Sequence, residues 1–469
     1  MCQLDTLGKC RNRLTLRKSL ATLPPTLDET YDRILCAIDK EDSEYAVRIL
    51  QWLAFSSRPL LVEEIAEVVA IDVERKPAFN SEEVLEDPSE VLSICSSLVT
   101  ITTTRQRFST SSKDHSKVVA LAHYSVKEYL VSKRILQSRA ARYSMQEIVC
   151  NEFIAKTCIG YLLQFQVEGS LSDESIQESK LAQYAAKFWI THTQAVAQKT
   201  EALNGLIMEL FSTVNSAYLN WARIYDPDQP WQNPNFGKTL AEVPAPLYYA
   251  SLSGLTETVG LLVFEAGADV NAQGGRYGNA LQAASARGHD KTVELLLGKG
   301  ADINAQGGRY GNALQAASAN GQDKTVELLL SKGADINAQG GVYGNALQAA
   351  LAEGHDKIVE LLLSKGADIN AQGGHYGNAL QAASARGHDK IVELLLSKGA
   401  NVNAQVGFYN NALHAASAKG HDKTVELLLD KGADVSAQGG HYGNALKAAS
   451  LGGYDKIVKL LLRKGADSI

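Results

Sequence analysis

From Gly278 onward a single pattern returns every 33 residues. Gly278, Gly311, Gly344, Gly377, Asn410 and Gly443 open near-identical copies of N-A-L-Q-A-A-S-x-x-G-H-D-K-x-V-E-L-L-L-x-K-G-A-D-x-N-A-Q-G-G-x-Y. A fixed period of this length implies a stacked solenoid, in which one supersecondary unit recurs along an axis. Each copy holds two short amphipathic stretches, for example Ala280 to Ala286 and Lys291 to Leu297. Their Ala and Leu stripes are too small to build a core alone, so neighbouring copies must bury one another.

The copies resemble the ankyrin repeat. Asn279-Ala280-Leu281-Gln282 stands where that family usually has Thr-Pro-Leu-His, and it is followed by Gly288-His289, Leu295-Leu296-Leu297 and Gly300-Ala301-Asp302-Ile303-Asn304-Ala305. Asn279 can cap the first helix as Thr does, because its side-chain oxygen accepts an orphan backbone N–H. Gln282 in place of His is expected to change the hydrogen bond between repeats. Gly300 suits a left-handed helix terminus, and Gly274-Gly275 suits the tip of a connecting hairpin. A weaker copy, Pro246-Leu247-Tyr248-Tyr249-Ala250 through Asn271, reads as an N-terminal cap, so residues 241–469 are expected to form seven units. The last unit runs out at Ala466-Asp467-Ser468-Ile469.

The 469 residues, 45% of them hydrophobic, point to two or three domains. All six cysteines, Cys2, Cys10, Cys36, Cys95, Cys150 and Cys158, precede the repeats without close pairing, so reduced thiols are expected. No apolar run approaches the about 20 residues of a membrane span, and the N-terminus lacks a signal-peptide stretch. A cytoplasmic chain is expected, with a nuclear location as the alternative, and no membrane partner. Acidic and basic residues are interleaved in the repeats, with a formal net charge of −6 for the chain, so nucleic acid is not an expected partner.

The first half reads differently. Thr26 and Glu29 form a capping box before Tyr31, Ile34, Leu35 and Ile38. Glu44 to Ala54, with Val47, Leu50 and Leu53, and Val62 to Ala70, with Ile65, Val68 and Val69, read as further helices. Ser89 to Ser96 reads as a helix and Leu98 to Thr104 as a strand. Lys117 to Ala122 reads as its partner strand and Ser125 to Ile135 as a closing helix. This is a winged-helix order. The chain as a whole is therefore expected to be predominantly α, with N-terminal winged-helix-like and helical segments followed by the ankyrin solenoid.

The same half carries a second resemblance. Leu23-Pro24-Pro25-Thr26-Leu27-Asp28-Glu29-Thr30-Tyr31, Ile49-Leu50-Gln51-Trp52-Leu53, Ile94-Cys95-Ser96-Ser97-Leu98 and Ala122-His123-Tyr124-Ser125-Val126-Lys127-Glu128-Tyr129-Leu130 are similar to the segment after the NACHT ATPase module in fungal NACHT–ankyrin proteins, NLR-like signalling ATPases of the STAND class. Trp221 and Tyr225-Asp226-Pro227-Asp228 continue the likeness. It implies a module tail at residues 1–22, a winged helix at 23–138 and a helical linker at 139–240. The resemblance also implies a C-terminal part without its ATPase module, since Gly8-Lys9 is followed by Cys10 and forms no phosphate-binding loop. In such proteins a histidine at the position of His123 contacts the β-phosphate of bound ADP. His123 is thus a nucleotide contact only where a NACHT module is present, and otherwise reads as a packed histidine at a strand-to-helix junction.

Other constellations read as structural. His289, His355, His388 and His421 occur once per unit at the turn between paired helices, whereas zinc needs about four converging ligands. Asp290 and Glu294 recur in every unit as a solvated face, and Ser285, Ser318, Ser384 and Ser417 lack a base partner. Cys36, Cys95 and Trp52 read as core. No cofactor, metal or catalytic residue is expected. Function is instead expected where otherwise matching repeats differ. The fingertip reads Arg276, Arg309, Val342, His375, Phe408, His441, and the end of the first helix reads Arg287, Asn320, Glu353, Arg386, Lys419, Gly452. In the ankyrin layout both rows face the concave groove, a surface suited to a protein partner; drift at exposed sites is the competing reading. The adjacent row from Tyr277 to Tyr442 is either a stacked structural ladder or a set of aromatic anchors. The expected function is a non-enzymatic protein-interaction scaffold. The alternative is the regulatory, sensing half of a NACHT-type signalling NTPase in fungal non-self recognition.

Overall fold

The computed structural model describes residues 26–105 and 115–466. The expected module tail at residues 1–22, the Leu23-Pro24-Pro25 stop, part of the wing and Asp467-Ser468-Ile469 lie outside the described residues. The chain forms two compact units that divide between Leu240 and Ala241.

In the first unit, α1 (Leu27–Cys36) opens on Thr26, whose Oγ1 accepts the Glu29 N–H at 3.2 Å. In α2 (Ser43–Phe55) the buried stripe is Ala46, Ile49, Leu50 and Trp52, so Val47 and Leu53 lie beside the core rather than at its centre. β1 (Leu60–Leu61), α3 (Val62–Val68) and α4 (Val91–Cys95) follow, then β2 (Val99–Arg105) and β3 (His115–Leu121). β2 and β3 pair antiparallel, with Ile101 opposite Val119 and Val99 opposite Leu121. β1 adds to the free edge of β3, Leu60 opposite Val119, giving the order β1-β3-β2. Two residues are too few to show a period-2 pattern, which is why the sequence reading passes over β1. α5 (Tyr124–Leu130) is shorter than expected: Ser132 Oγ bonds the Tyr129 carbonyl at 2.9 Å, and the chain continues into a 3₁₀ turn at Ile135–Gln137.

α6 (Glu147–Leu162), α7 (Asp173–Glu178), α8 (Ala182–Gln194), α9 (Glu201–Leu210) and α10 (Ala217–Ile224) complete the unit. Winged-helix and helical segments share one core. Trp52 of α2 meets Tyr184 of α8 at 5.2 Å, and buried Glu67 of α3 accepts the Tyr161 hydroxyl of α6 at 2.6 Å and the N–H groups of Lys180 and Leu181. Trp189 stands edge-on to Trp221, whose Nε1 donates to the Ala186 carbonyl at 2.9 Å. Cys95, Cys150 and Cys158 are buried, whereas Cys36, expected in the core, is exposed: it ends α1 on the side opposite the buried Leu35 and Tyr31.

In the second unit, seven helix pairs run from Pro246–Leu252 with Thr256–Phe264 to Ala445–Leu451 with Asp455–Arg463. Each of the last six first helices starts on an asparagine whose Oδ1 accepts an N–H three residues on, as Asn279 does from Gln282 at 2.9 Å. First helices stack on first helices through alanines with no exposed surface, such as Ala283 and Ala284, while Leu281, Val293 and Leu296 fill the space within a pair. Glycine is required between paired helices. Gly321 sits at φ +72°, and a Cβ there would lie 2.7 Å from the His355 ring of the next unit. The Gly-His motif thus spans a unit boundary: the glycine of one unit seats the histidine of the next.

That histidine is a tie between units. His289 Nε2 donates to the Leu252 carbonyl at 3.1 Å, and His355 and His421 repeat the bond to Ala319 and Ala385. Burial holds the His289 imidazole below its ordinary pKa. The Gln-for-His substitution also preserves a tie. Gln282 Nε2 donates to the carbonyls of Ala305 at 2.9 Å and Gly311 at 3.0 Å, while His414, which keeps the family residue, reaches Ala437 at 3.1 Å.

Candidate protein-interaction surface

The hairpins between units bring the fingertip residues into one row, and the row is bonded through its backbone. The N–H of Arg309 donates to the carbonyl of Arg276 at 2.9 Å, Val342 to Arg309 at 3.0 Å and His375 to Val342 at 3.0 Å. Phe408 donates to His375 at 3.3 Å and His441 to Phe408 at 3.2 Å. Each bond contributes about 1 kcal/mol net, so side-chain positions along the row are set by a continuous ladder. Outward from it, Arg309, Val342, His375, Phe408 and His441 are exposed and Arg276 is half-buried. His375, Phe408 and His441 stack on one another at 5.3 and 4.7 Å, a short aromatic strip.

Beside the strip the tyrosines stack in two runs. Tyr277, Tyr310 and Tyr343 lie 5.6 and 6.0 Å apart, and Tyr376, Tyr409 and Tyr442 lie 6.5 and 6.3 Å apart, all nearly parallel. With Tyr277 and Tyr409 almost wholly buried, these runs stiffen the hairpins. The first-helix ends meet them from the other side. Arg287 lies 6.0 Å over Tyr277, and Tyr343 donates to Glu353 Oε1 at 2.6 Å. Burial and the Glu353 carboxylate push the Tyr343 phenol well above its ordinary pKa. Arg386 of the next unit is 3.7 Å from Glu353, and Asn320 bonds back to the Ala316 carbonyl at 2.8 Å. The structure therefore brings both varying rows and the tyrosines onto one face. On it opens a cleft of about 590 Å³ lined by His375, Tyr376, Ala385, Arg386, Tyr409, Lys419 and His421. His421 was legible only as a turn residue, because its place in the cleft depends on stacking.

His123 is exposed rather than packed. It caps α5, its Nδ1 lying 2.7 Å from Ser125 Oγ, which in turn meets the Tyr31 hydroxyl at 2.7 Å, and its ring rests on exposed Tyr124 at 4.4 Å. A histidine cluster that sequence spacing hides lies deeper in this unit. Asn151, oriented by its own amide bond to the Glu147 carbonyl, accepts from His192 Nδ1 at 2.8 Å, and Tyr184 Oη meets His192 Nε2 at 2.9 Å. Ser57 Oγ is 3.4 Å from that Nε2. With Nδ1 donating to Asn151, Nε2 is the acceptor of the Tyr184 hydroxyl and is not free to take a proton from Ser57. Both oxygens of Glu67 are likewise engaged, by three donors in all. Ser285, Ser318, Ser384 and Ser417 have no exposed surface, out of reach of any substrate. Among the described residues no group of three or more His, Cys, Asp or Glu converges on a metal position, and no helix is long and apolar enough to cross a membrane.

Four overlapping stretches, 247–340, 281–373, 314–406 and 380–468, match the family described as ankyrin repeats, and residues 31–145 match the family described as the winged helix domain of GPI inositol-deacylase. Residues 247–468 are ankyrin repeats that follow a winged-helix domain. A curated relative, the azaphilone pigments biosynthesis cluster protein L of Monascus ruber, is 38% identical over 297 residues. The match covers 61% of this chain and spans 62% of the relative's length. Among solved structures, the human ASB11 ankyrin repeat domain is similar at 25% identity, covering 48% of this chain and 100% of that domain with a TM-score of 0.41.

Proposed function

We propose that the chain is a non-enzymatic interaction scaffold whose ankyrin hairpin face holds a protein partner. The observation that carries this reading is the division of labour among nearly identical repeats. The asparagine caps and the stacked alanines stay the same and the ties between units change at few positions, such as His414 and Gln322, while Arg276, Arg309, Val342, His375, Phe408 and His441, with Arg287, Asn320, Glu353, Arg386 and Lys419, vary on one face. Replacing Arg276, Arg309 and Phe408 together by alanine is expected to abolish capture of the partner, read by quantitative affinity enrichment against the wild-type chain. The thermal unfolding midpoint is expected to fall only slightly, since all three side chains lie outside the alanine-packed core and only Phe408 gives up ring stacking, on His375 and His441. Equal enrichment by the two proteins would refute the reading.

A second reading is supported by His123. An exposed imidazole at the head of α5, in the motif shared with NLR-like proteins, suits a sensing segment of a NACHT-type signalling NTPase. A calorimetric titration of the chain with ADP separates the two: binding heat that His123→Ala removes supports the second reading, and its absence favours the scaffold.

A further inference from the structure

The varying rows of the ankyrin array carry more cations than anions. Among the eleven varying positions, Arg276, Arg309, Arg287, Arg386 and Lys419 are cations and Glu353 is the one anion, in a chain of formal net charge −6. Most acidic residues of the array lie elsewhere, interleaved with lysines such as Lys291 and Lys324. Asp290, Glu294 and their equivalents lie on the second helices, and Asp302, Asp335 and Asp434 each accept, at 2.9 Å, the N–H two residues on. Glu353 is already engaged by the Tyr343 hydroxyl and by Arg386.

The cleft near the C-terminal end concentrates this chemistry. Ala385 and Tyr409, both buried, and half-buried Tyr376 lie at the floor, and exposed Arg386 and Lys419 stand at its rim. His421 Nε2 is committed to the Ala385 carbonyl, which leaves as cationic donors Lys419, beside the Tyr409 hydroxyl, and Arg386, 3.7 Å from Glu353. An aromatic floor beneath two cations fits a carboxylate adjacent to an apolar side chain. It does not fit a phosphate backbone: the cations are interrupted at Val342 and Glu353, whereas a nucleic acid needs a sustained track of them.

Resting on the scaffold reading, we propose that this face recognises an acidic peptide segment of the partner protein. Its carboxylates pair with Arg386 and Lys419, and an apolar side chain seats on half-buried Tyr376. The test is fluorescence anisotropy with the full chain and a fluorescein-labelled dodecapeptide of alternating glutamate and alanine carrying one central phenylalanine. Two exposed charge pairs correspond to about tenfold in affinity. Binding is therefore expected to weaken about tenfold in Arg386→Ala/Lys419→Ala and when glutamine replaces glutamate in the peptide, and to be unchanged in Lys324→Ala on a second helix. No binding of the acidic peptide, equal binding of the glutamine peptide, an unaffected double variant, or tighter binding of an oligodeoxythymidylate of the same length would each overturn the proposal. If the acidic peptide fails while the Arg276, Arg309 and Phe408 variant still loses its partner, the acidic chemistry is wrong and the scaffold reading stands.

Discussion

Gln315 tests whether side-chain ties between units hold the array together. Its Nε2 donates to the carbonyls of Ala338 at 2.9 Å and Gly344 at 3.1 Å, both on the hairpin entering the next unit, and its Oε1 accepts the Asn312 N–H at 3.1 Å. The residue is 1% exposed, and of the groups left behind by truncation those on Gly344 and Asn312 are buried while Ala338 is half-buried. Three hydrogen bonds at about 1 kcal/mol each, with a further contribution from lost packing, put the cost of Gln315→Ala at about 3 to 4 kcal/mol. Gln315→His is expected to cost about 1 kcal/mol or less, because His414 already makes the corresponding reach to Ala437 at the same place in its unit. In a linear array such a loss uncouples neighbours as well as lowering total stability. Urea unfolding followed by circular dichroism should therefore show a lower midpoint and an earlier, separate transition for the alanine variant. Hydrogen exchange should quicken at Asn312 and in the second helix of the same unit. Equal costs for the alanine and histidine variants, or an alanine cost under about 1 kcal/mol, would show that this side-chain tie adds little to the coupling between units.

Protonation and backbone geometry furnish two further tests. Burial pushes the His192 pKa from 6.5 down to about 4, so the imidazole is neutral in the fold. Its contribution is fully present above pH 6.5 and is lost as the pH falls toward 4, about 3 kcal/mol in all; denaturant unfolding at pH 7 and pH 4.5 should show a steeper acid loss for the wild type than for His192→Gln, and parallel losses would contradict this. Gly321→Ala should cost about 2 to 3 kcal/mol, from left-handed strain plus a displaced His355 ring, whereas Gly333→Ala, at φ +90° with nothing within 4 Å, should cost about 1; equal shifts in Tm would show that the ring seat is unimportant.

Much of the array is written locally, which is why its helices fall where the 33-residue pattern places them. The asparagine caps, the glycine termini and the Leu-Leu-Leu stripes each act within a few residues. The ties between units are not local. A Gln in place of His looks like a loss until the Ala305 and Gly311 carbonyls are seen on the neighbouring hairpin, and the fingertip ladder joins backbone to backbone, so no side chain records it. In the first unit the misses share a cause. β1 is two residues long, the Ser57, Tyr184, His192 and Asn151 cluster is assembled from segments up to 135 residues apart, and exposure at Cys36 and His123 depends on how helix ends meet their neighbours. For the candidate surface, the two varying rows were visible by comparing repeats with each other, while the cleft that joins them required the stack itself.

The fingertip ladder makes the array extensible. Each hairpin donates to the one before it and accepts from the one after it through atoms that every amino acid except proline possesses. Recombination between near-identical repeats that adds or removes one whole unit leaves every rung with a partner, whichever side chain rides on it. The length of the recognition surface can therefore change in steps of one repeat, and its chemistry one residue at a time, without a new fold being found on either occasion.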